Sequence, residues 1–150
     1  MIGQFIAATI GTIAFSLLFS VPKRYYPWCG LVGGTGWLCY LIFSKYTGII
    51  LSCFIATCVV VCLCRYLANK MRCPVTIFLI SGIFPLVPGA GIYWTAYYTI
   101  MEQYSLASAK GFESFKMGIA IVLGITFIFE LPQEFFKRKT TKKAHLFNRV

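Results

Sequence analysis

The residues of this chain most suited to chemistry form one short run, PLVPGAG, at positions 85–91. Its two prolines each remove a backbone donor and obstruct the preceding helical turn, and its two glycines reach backbone angles closed to other residues. This run, the 85–91 break, therefore predicts two half-helices, residues 77–84 and 92–101, joined by irregular backbone. The chemistry available there is binding, because exposed amides at the start of the second half-helix suit a carboxylate.

The break and the turns after it supply the candidate substrate-binding residues. Prolines and glycines would shape the backbone, and two nearby side chains would offer hydroxyl groups. The alternative is a structural kink satisfied by neighbouring helices, with the tyrosines as ordinary interfacial aromatics. Several breakers within seven residues favour a site, because a kink needs only one. The candidates are Pro85, Pro88, Gly89, Gly91, Tyr93 and Thr95.

Glu130 is the acid placed inside an apolar run, and intramembrane carboxylates serve as proton or cation sites. It is the candidate coupling residue, with an interfacial salt bridge as the alternative.

No set of nucleophile, acid and base is present, and the single histidine, His145, follows the last apolar run, so an enzyme is not predicted. The seven cysteines lack a histidine companion and are interpreted as small hydrophobes. Neither a metal site nor a cofactor is predicted.

The composition requires a membrane. Of the 150 residues, 59% are hydrophobic and 12% are charged, whereas soluble domains carry about a quarter charged residues. A chain this short has too little interior to bury that apolar surface, so much of it must face lipid. The net charge of +10 lies in clusters between apolar runs and after the last one, which is typical of membrane topology and excludes nucleic acid as the expected partner.

The apolar runs predict an all-α, polytopic membrane helical bundle over residues 1–132, with about five transmembrane helices. The fourth is broken at residues 85–91, and residues 102–116 form a polar connection with a short interfacial helix. Residues 133–150 form a basic cytoplasmic tail. The first run lacks a charged region before it and a cleavage site after it, so a retained span is expected rather than a signal peptide. The predicted spans are residues 2–21, 28–44, 48–64, 74–101 and 117–131.

Basic residues give the orientation. With five spans and the N-terminus outside, three basic residues (Lys45, Lys110 and Lys116) lie outside and eleven lie inside, so the positive-inside rule favours a cytoplasmic C-terminus. A re-entrant hairpin at the break would divide the charges equally, so a crossing segment is favoured.

In the second span, Gly30 and Gly34 are four residues apart, which predicts a smooth face for helix packing. A cavity lined by that face is the alternative.

Several blocks of the sequence together resemble the threonine/serine exporter family, in its small, split-subunit type. The resemblance spans essentially the whole chain, and the block around the break is its most specific part. The blocks are FSVPKR at 19–24, WCG at 28–30, GGTG at 33–36, Pro74, IFPLVPG at 83–89 and Tyr93.

The resemblance implies a partner and a cargo class. Fused family members carry a cytoplasmic hydrolase-like domain before ten spans, and split members place the last five spans on a small subunit like this one. The family is associated with export of threonine and serine, and some split pairs with succinate. A cytoplasmic domain puts the start of the first half inside the cell. Because each half has five spans, an odd number, the second half then begins outside, in agreement with the charge count.

These observations predict an integral subunit of a secondary exporter in the cell (inner) membrane. It would work with a larger homologous membrane subunit and move a small amino or carboxylic acid, with the break at a shared midplane. The alternative is a non-transporting scaffold or assembly subunit, whose glycines serve helix packing and whose basic tail binds anionic membrane lipid.

Overall fold

The computed structural model describes residues 2–132, so the predicted basic tail at 133–150 lies outside the described residues. Within residues 2–132 the chain folds into α-helices joined by short turns and contains no strand, which confirms the all-α bundle. The helices are α1 (Ile2–Leu18), α2 (Tyr26–Thr47), α3 (Ile49–Met71), α4 (Thr76–Ile83), α5 (Gly89–Ile100) and α6 (Tyr104–Glu130).

The helices differ from the predicted spans mainly at their polar ends. Helix α3 continues past residue 64 to Met71, and α6 begins at Tyr104 rather than at Met117. The predicted polar connection is therefore largely the first half of α6. No proline interrupts this stretch, and isolated glycines such as Gly111 are tolerated inside a helix, so a change in polarity does not end it.

By length and hydropathy, α3 and α6 can each cross a membrane, and α4 with α5 would add a third span if the bent pair is one crossing. Helix α1 is apolar but shorter. The presence of membrane-spanning helices and of a broken helix pair therefore agrees with the prediction, while the number five remains a prediction.

Glycines allow α2 to approach two other helices closely. A methyl group at Gly30 would lie 3.0 Å from the Thr9 methyl of α1, and one at Gly34 would overlap the Thr9 hydroxyl oxygen. On another side of α2, a methyl group at Gly36 would overlap Val60 of α3. These contacts confirm the packing interpretation of the glycine face and hold α2 between α1 and α3.

Helix α3 supplies much of the buried core of the described residues. Cys53, Ala56, Val60 and Cys64 are fully buried and recur at the helical period, so they form one face. The same helix buries Arg65, whose guanidinium group donates a hydrogen bond to a backbone carbonyl near the end of α6. The bundle thus fixes α6 against α3, and α5 in turn packs against α6.

Candidate functional site

The 85–91 break separates α4 from α5 by a 48° bend. The chain passes from α4 into a short 3-10 turn, Phe84–Leu86, and then becomes extended at Val87. Pro88 caps α5, and the first helical hydrogen bond of α5 runs from the Ile92 amide to the Pro88 carbonyl at 3.1 Å. The predicted half-helices are present, but Gly89 and Gly91 lie inside the first turn of α5 rather than in the irregular segment.

This break lines a cavity of about 440 Å³. One wall is the break itself, a second comes from α2 through Trp37 and Tyr40, and a third comes from α6. Trp94 from the second turn of α5 adds another aromatic ring to the lining. The volume is within the range of pockets that enclose small molecules, and the mixture of apolar walls with a few polar groups is typical of such pockets.

The start of α5 places backbone donors at the wall of this cavity. In any α-helix the first amides lack an intrahelical acceptor, and here the Pro88 cap supplies no side-chain hydrogen bond. The Gly89 amide donates to the Val87 carbonyl at 2.7 Å. The amides of Ala90 and Gly91 are therefore the ones in the first turn that have no helical acceptor. All of these residues line the cavity, so the positive end of the α5 dipole lies at its wall.

The α6 wall carries an ion pair. The Lys110 ammonium lies 2.9 Å from a carboxylate oxygen of Glu113, one helical turn further on. Both side chains line the cavity and are partly exposed, at 46% for Lys110 and 37% for Glu113. Ser114 is beside them, and its hydroxyl donates to the Lys110 carbonyl at 2.8 Å. The cavity therefore combines one cation, one anion and a helix N-terminus.

The two glycines of the break have different surroundings. A methyl group at Gly91 would overlap the Ser114 hydroxyl, so the absence of a side chain there lets α5 approach α6. A methyl group at Gly89 would meet nothing within 4 Å. Gly91 thus contributes to helix packing, whereas Gly89 leaves open space at the cavity wall.

Both candidate hydroxyl residues lie outside this lining. Tyr93 is 62% exposed and stacks with Tyr97 at a ring centroid distance of 6.5 Å. The Thr95 hydroxyl donates to the Gly91 carbonyl at 2.8 Å, and its side chain lies along a shallower groove between α5 and α6. In this conformation the structure brings together Pro85, Pro88, Gly89 and Gly91 but not Tyr93 or Thr95.

Glu130 is far from the break. It is the last residue of α6 and is exposed, whereas Glu113 lies at the cavity. Glu130 follows Glu113 by seventeen positions on one continuous helix, which corresponds to about 25 Å at 1.5 Å per residue. Any coupling by Glu130 would therefore have to act at the other end of α6.

The sequence of residues 4–130 matches the family described as threonine/serine exporter, ThrE. This stretch covers all of the described helices except the first two residues of α1, and it includes the break and the ion pair. The chain belongs to the threonine/serine exporter family. The family is one of transporters, and together with the apolar helices this identifies the chain as a membrane protein.

Among curated proteins, this family member is similar to one from Haemophilus influenzae (strain ATCC 51907 / DSM 11121 / KW20 / Rd), described as an uncharacterized protein. The two are 28% identical over 87 residues, which is 57% of this chain and 29% of the relative. The chain thus spans under a third of that relative. No solved structure matches this exporter-family chain significantly.

The polar and aromatic residues of the exporter-family cavity that the sequence did not point to come from α2, α5 and α6. The sequence places Lys110 and Glu113 in a polar connection between two spans, although opposite charges three residues apart are typical of a helix face. That spacing was an available signal. Nothing local indicated that α2 or the second turn of α5 would face the break. The polar and aromatic residues concerned are Trp37, Tyr40, Trp94, Lys110, Glu113 and Ser114.

Proposed function

We propose that this chain is an integral subunit of a secondary exporter for a small amino or carboxylic acid, with threonine, serine and succinate as the candidate cargoes. The family assignment supports an exporter of the threonine/serine type. The cargo of this particular chain, its partner and its orientation are parts of the proposal.

The observation that carries the proposal is the cavity at the break. Irregular backbone at membrane depth persists only where protein, water or substrate satisfies its polar groups, because each unsatisfied group costs several kcal/mol in hydrocarbon. Here the break opens onto a cavity of about 440 Å³ that also contains the start of α5. Discontinuous helices of this kind bind substrates in secondary transporters.

Within the site, Pro85 and Pro88 would keep α4 and α5 apart, and Gly89 would leave space for cargo. The amides at the start of α5 would hold its carboxylate. Gly91 would act indirectly, by setting the distance between α5 and α6. Tyr93 and Thr95 remain candidate cargo ligands for another conformation, because neither lines the cavity here. Glu130 remains a candidate coupling residue at the other end of α6.

We further propose that the chain works with a larger homologous membrane subunit. None of the residues of α5 is buried within this chain, which leaves aromatic side chains on its outer face for a neighbour or lipid. The proposed location is the cell (inner) membrane, with the N-terminus outside and the C-terminus in the cytoplasm, as the basic residues favour.

The direct test is efflux of labelled threonine, serine and succinate. Cells lacking the chain and its partner should retain a loaded cargo, and expression of both subunits should restore its release. A matched pair of variants adds specificity: Gly89→Leu should reduce efflux because it fills the cavity wall, and Gly3→Leu, at a position with open surroundings on α1, should not. If restored cells release none of the three cargoes faster than deficient cells, the exporter proposal is wrong.

The rival function is a non-transporting scaffold or assembly subunit. The observation in its favour is that side chains of neighbouring helices pack closely against Gly30, Gly34 and Gly36, as expected for a helix that serves packing. A scaffold would tolerate Gly89→Leu, since that position has no packing neighbour, and would still assemble with its partner. Unchanged efflux with unchanged assembly in this variant would favour the scaffold.

A further inference from the structure

We infer that the Lys110–Glu113 ion pair is the specificity-determining element of the cavity, and that it opens to take the two charged ends of an amino acid. In this exchange the cargo carboxylate pairs with Lys110 and the start of α5, and the cargo ammonium pairs with Glu113. The inference rests on the proposed transport function, but it assigns residues and a discrimination that transport alone does not require.

The first support is the arrangement of charge around the cavity. Positive potential comes from two places, the Lys110 ammonium and the N-terminal end of α5, where Ala90 and Gly91 have amides without helical acceptors. Negative charge among the described lining residues comes from Glu113. A ligand that carries one carboxylate and one ammonium group matches this set, and the remaining walls are largely apolar or aromatic.

The second support is that the pair is easily opened. Both side chains are more than a third exposed, and ion pairs of that exposure contribute little net stability. A cargo with both charges can replace Glu113 as the partner of Lys110 by its carboxylate and Lys110 as the partner of Glu113 by its ammonium group, so both side chains are paired before and after the exchange. The same logic applies to the empty site, because the closed pair keeps both charges satisfied without cargo.

The third support is the contrast with a dicarboxylate. One carboxylate of such a cargo could pair with Lys110 and the start of α5, but the second would have Glu113 or apolar walls as neighbours. Like charges in a partly desolvated site repel, and an unpaired carboxylate there loses its hydration. Glu113 therefore selects for the ammonium group, and Lys110 with the helix start selects for the carboxylate.

The test uses serine and glycerate, which differ only in an ammonium group against a hydroxyl group at one carbon. Efflux of each is measured from cells expressing the full chain with its partner. The variant is Glu113→Gln, which keeps the size of the side chain and removes its charge. Glu102→Gln is the matched control, since Glu102 is an exposed acid in the turn between α5 and α6 that does not line the cavity.

We expect the wild-type chain to export serine at least about tenfold faster than glycerate, as the loss of one charge-assisted contact predicts. Glu113→Gln should lower serine efflux about tenfold or more, leave glycerate efflux unchanged or higher, and so abolish the discrimination. Glu102→Gln should retain it. Lys110→Met should lower the efflux of both cargoes, because both carry the carboxylate.

Two results would overturn the inference separately from transport itself. One is a wild-type chain that exports serine and glycerate equally well. The other is a Glu113→Gln variant that reaches wild-type levels in the membrane and loses both cargoes to the same extent, which would give Glu113 a role independent of the cargo ammonium. Absence of any export by the wild-type pair would overturn the proposed function and this inference together.

Discussion

Gly91 of α5 lies so close to Ser114 of α6 that a methyl group at position 91 would overlap the Ser114 hydroxyl oxygen. That hydroxyl in turn donates a hydrogen bond to the Lys110 carbonyl, at 2.8 Å. The contact joins the helix that begins at the break to the helix that carries the ion pair. The distance between the start of α5 and the charged α6 wall of the cavity therefore depends on a glycine.

Gly91→Ala should destabilise the protein by about 1–3 kcal/mol, because α5 must move away from α6 or Ser114 must give up its hydrogen bond. The measurement is equilibrium unfolding of the purified chain in mixed detergent micelles. Gly89→Ala is the control, with an expected change of less than about 0.5 kcal/mol, since its added methyl group meets nothing within 4 Å.

Removing the Ser114 side chain in the double variant Gly91→Ala, Ser114→Gly should recover part of that loss. The methyl group at position 91 would then face the backbone of residue 114 at 3.9 Å, which is ordinary van der Waals contact. Ser114→Gly alone measures the separate cost of a glycine inside α6. Additive effects of the two single changes in the double variant would show that this contact does not limit the approach of α5 to α6.

Arg65→Met should destabilise the bundle by about 1–3 kcal/mol. Arg65 is 5% exposed and its guanidinium group donates to the Ile128 carbonyl, so the variant leaves that carbonyl without this donor. Arg72→Met removes an exposed guanidinium group after α3 and should have little effect. Thermal unfolding of both variants in detergent measures the difference, and similar melting temperatures would contradict the role assigned to Arg65.

Binding of cargo should change the tryptophan fluorescence of the protein. Trp37 and Trp94 line the cavity, whereas Trp28 lies in the first turn of α2 near the Lys70 ammonium, 5.7 Å from its ring. A titration of the purified complex with serine should give a saturable change that Trp28→Phe retains. Either Trp37→Phe or Trp94→Phe should reduce it, and a change carried entirely by Trp28 would argue against cargo in this cavity.

The turn between α5 and α6 should face the outside of the cell. Eleven basic residues lie in the segments assigned to the cytoplasm and three in the outer segments, and the side with more lysine and arginine residues stays inside. An epitope inserted at the exposed Gln103 should be accessible to antibody in intact spheroplasts, and one added after Val150 should need permeabilised cells. The reverse pattern would contradict the proposed orientation.

Much of the architecture could be predicted from local sequence. The apolar runs predicted helices, and the prolines at 85 and 88 predicted the bend, because a proline in the interior of a helix removes a backbone hydrogen bond and clashes with the preceding turn. The family resemblance was also readable from the same block. Helix ends were less predictable: α6 extends back to Tyr104 because helical backbone continues through polar residues when no breaker stops it.

The tertiary structure decided what the break faces. From sequence, Lys110 and Glu113 were two charges in a connection, and only the packing of α6 beside α5 put them at the same cavity as Gly89 and the aromatic rings of α2. The same packing left Tyr93 and Thr95 outside it, although they are near the break in sequence. Which side of a helix points into a cavity depends on contacts between residues far apart in the chain. The local pattern of polarity does not determine those contacts.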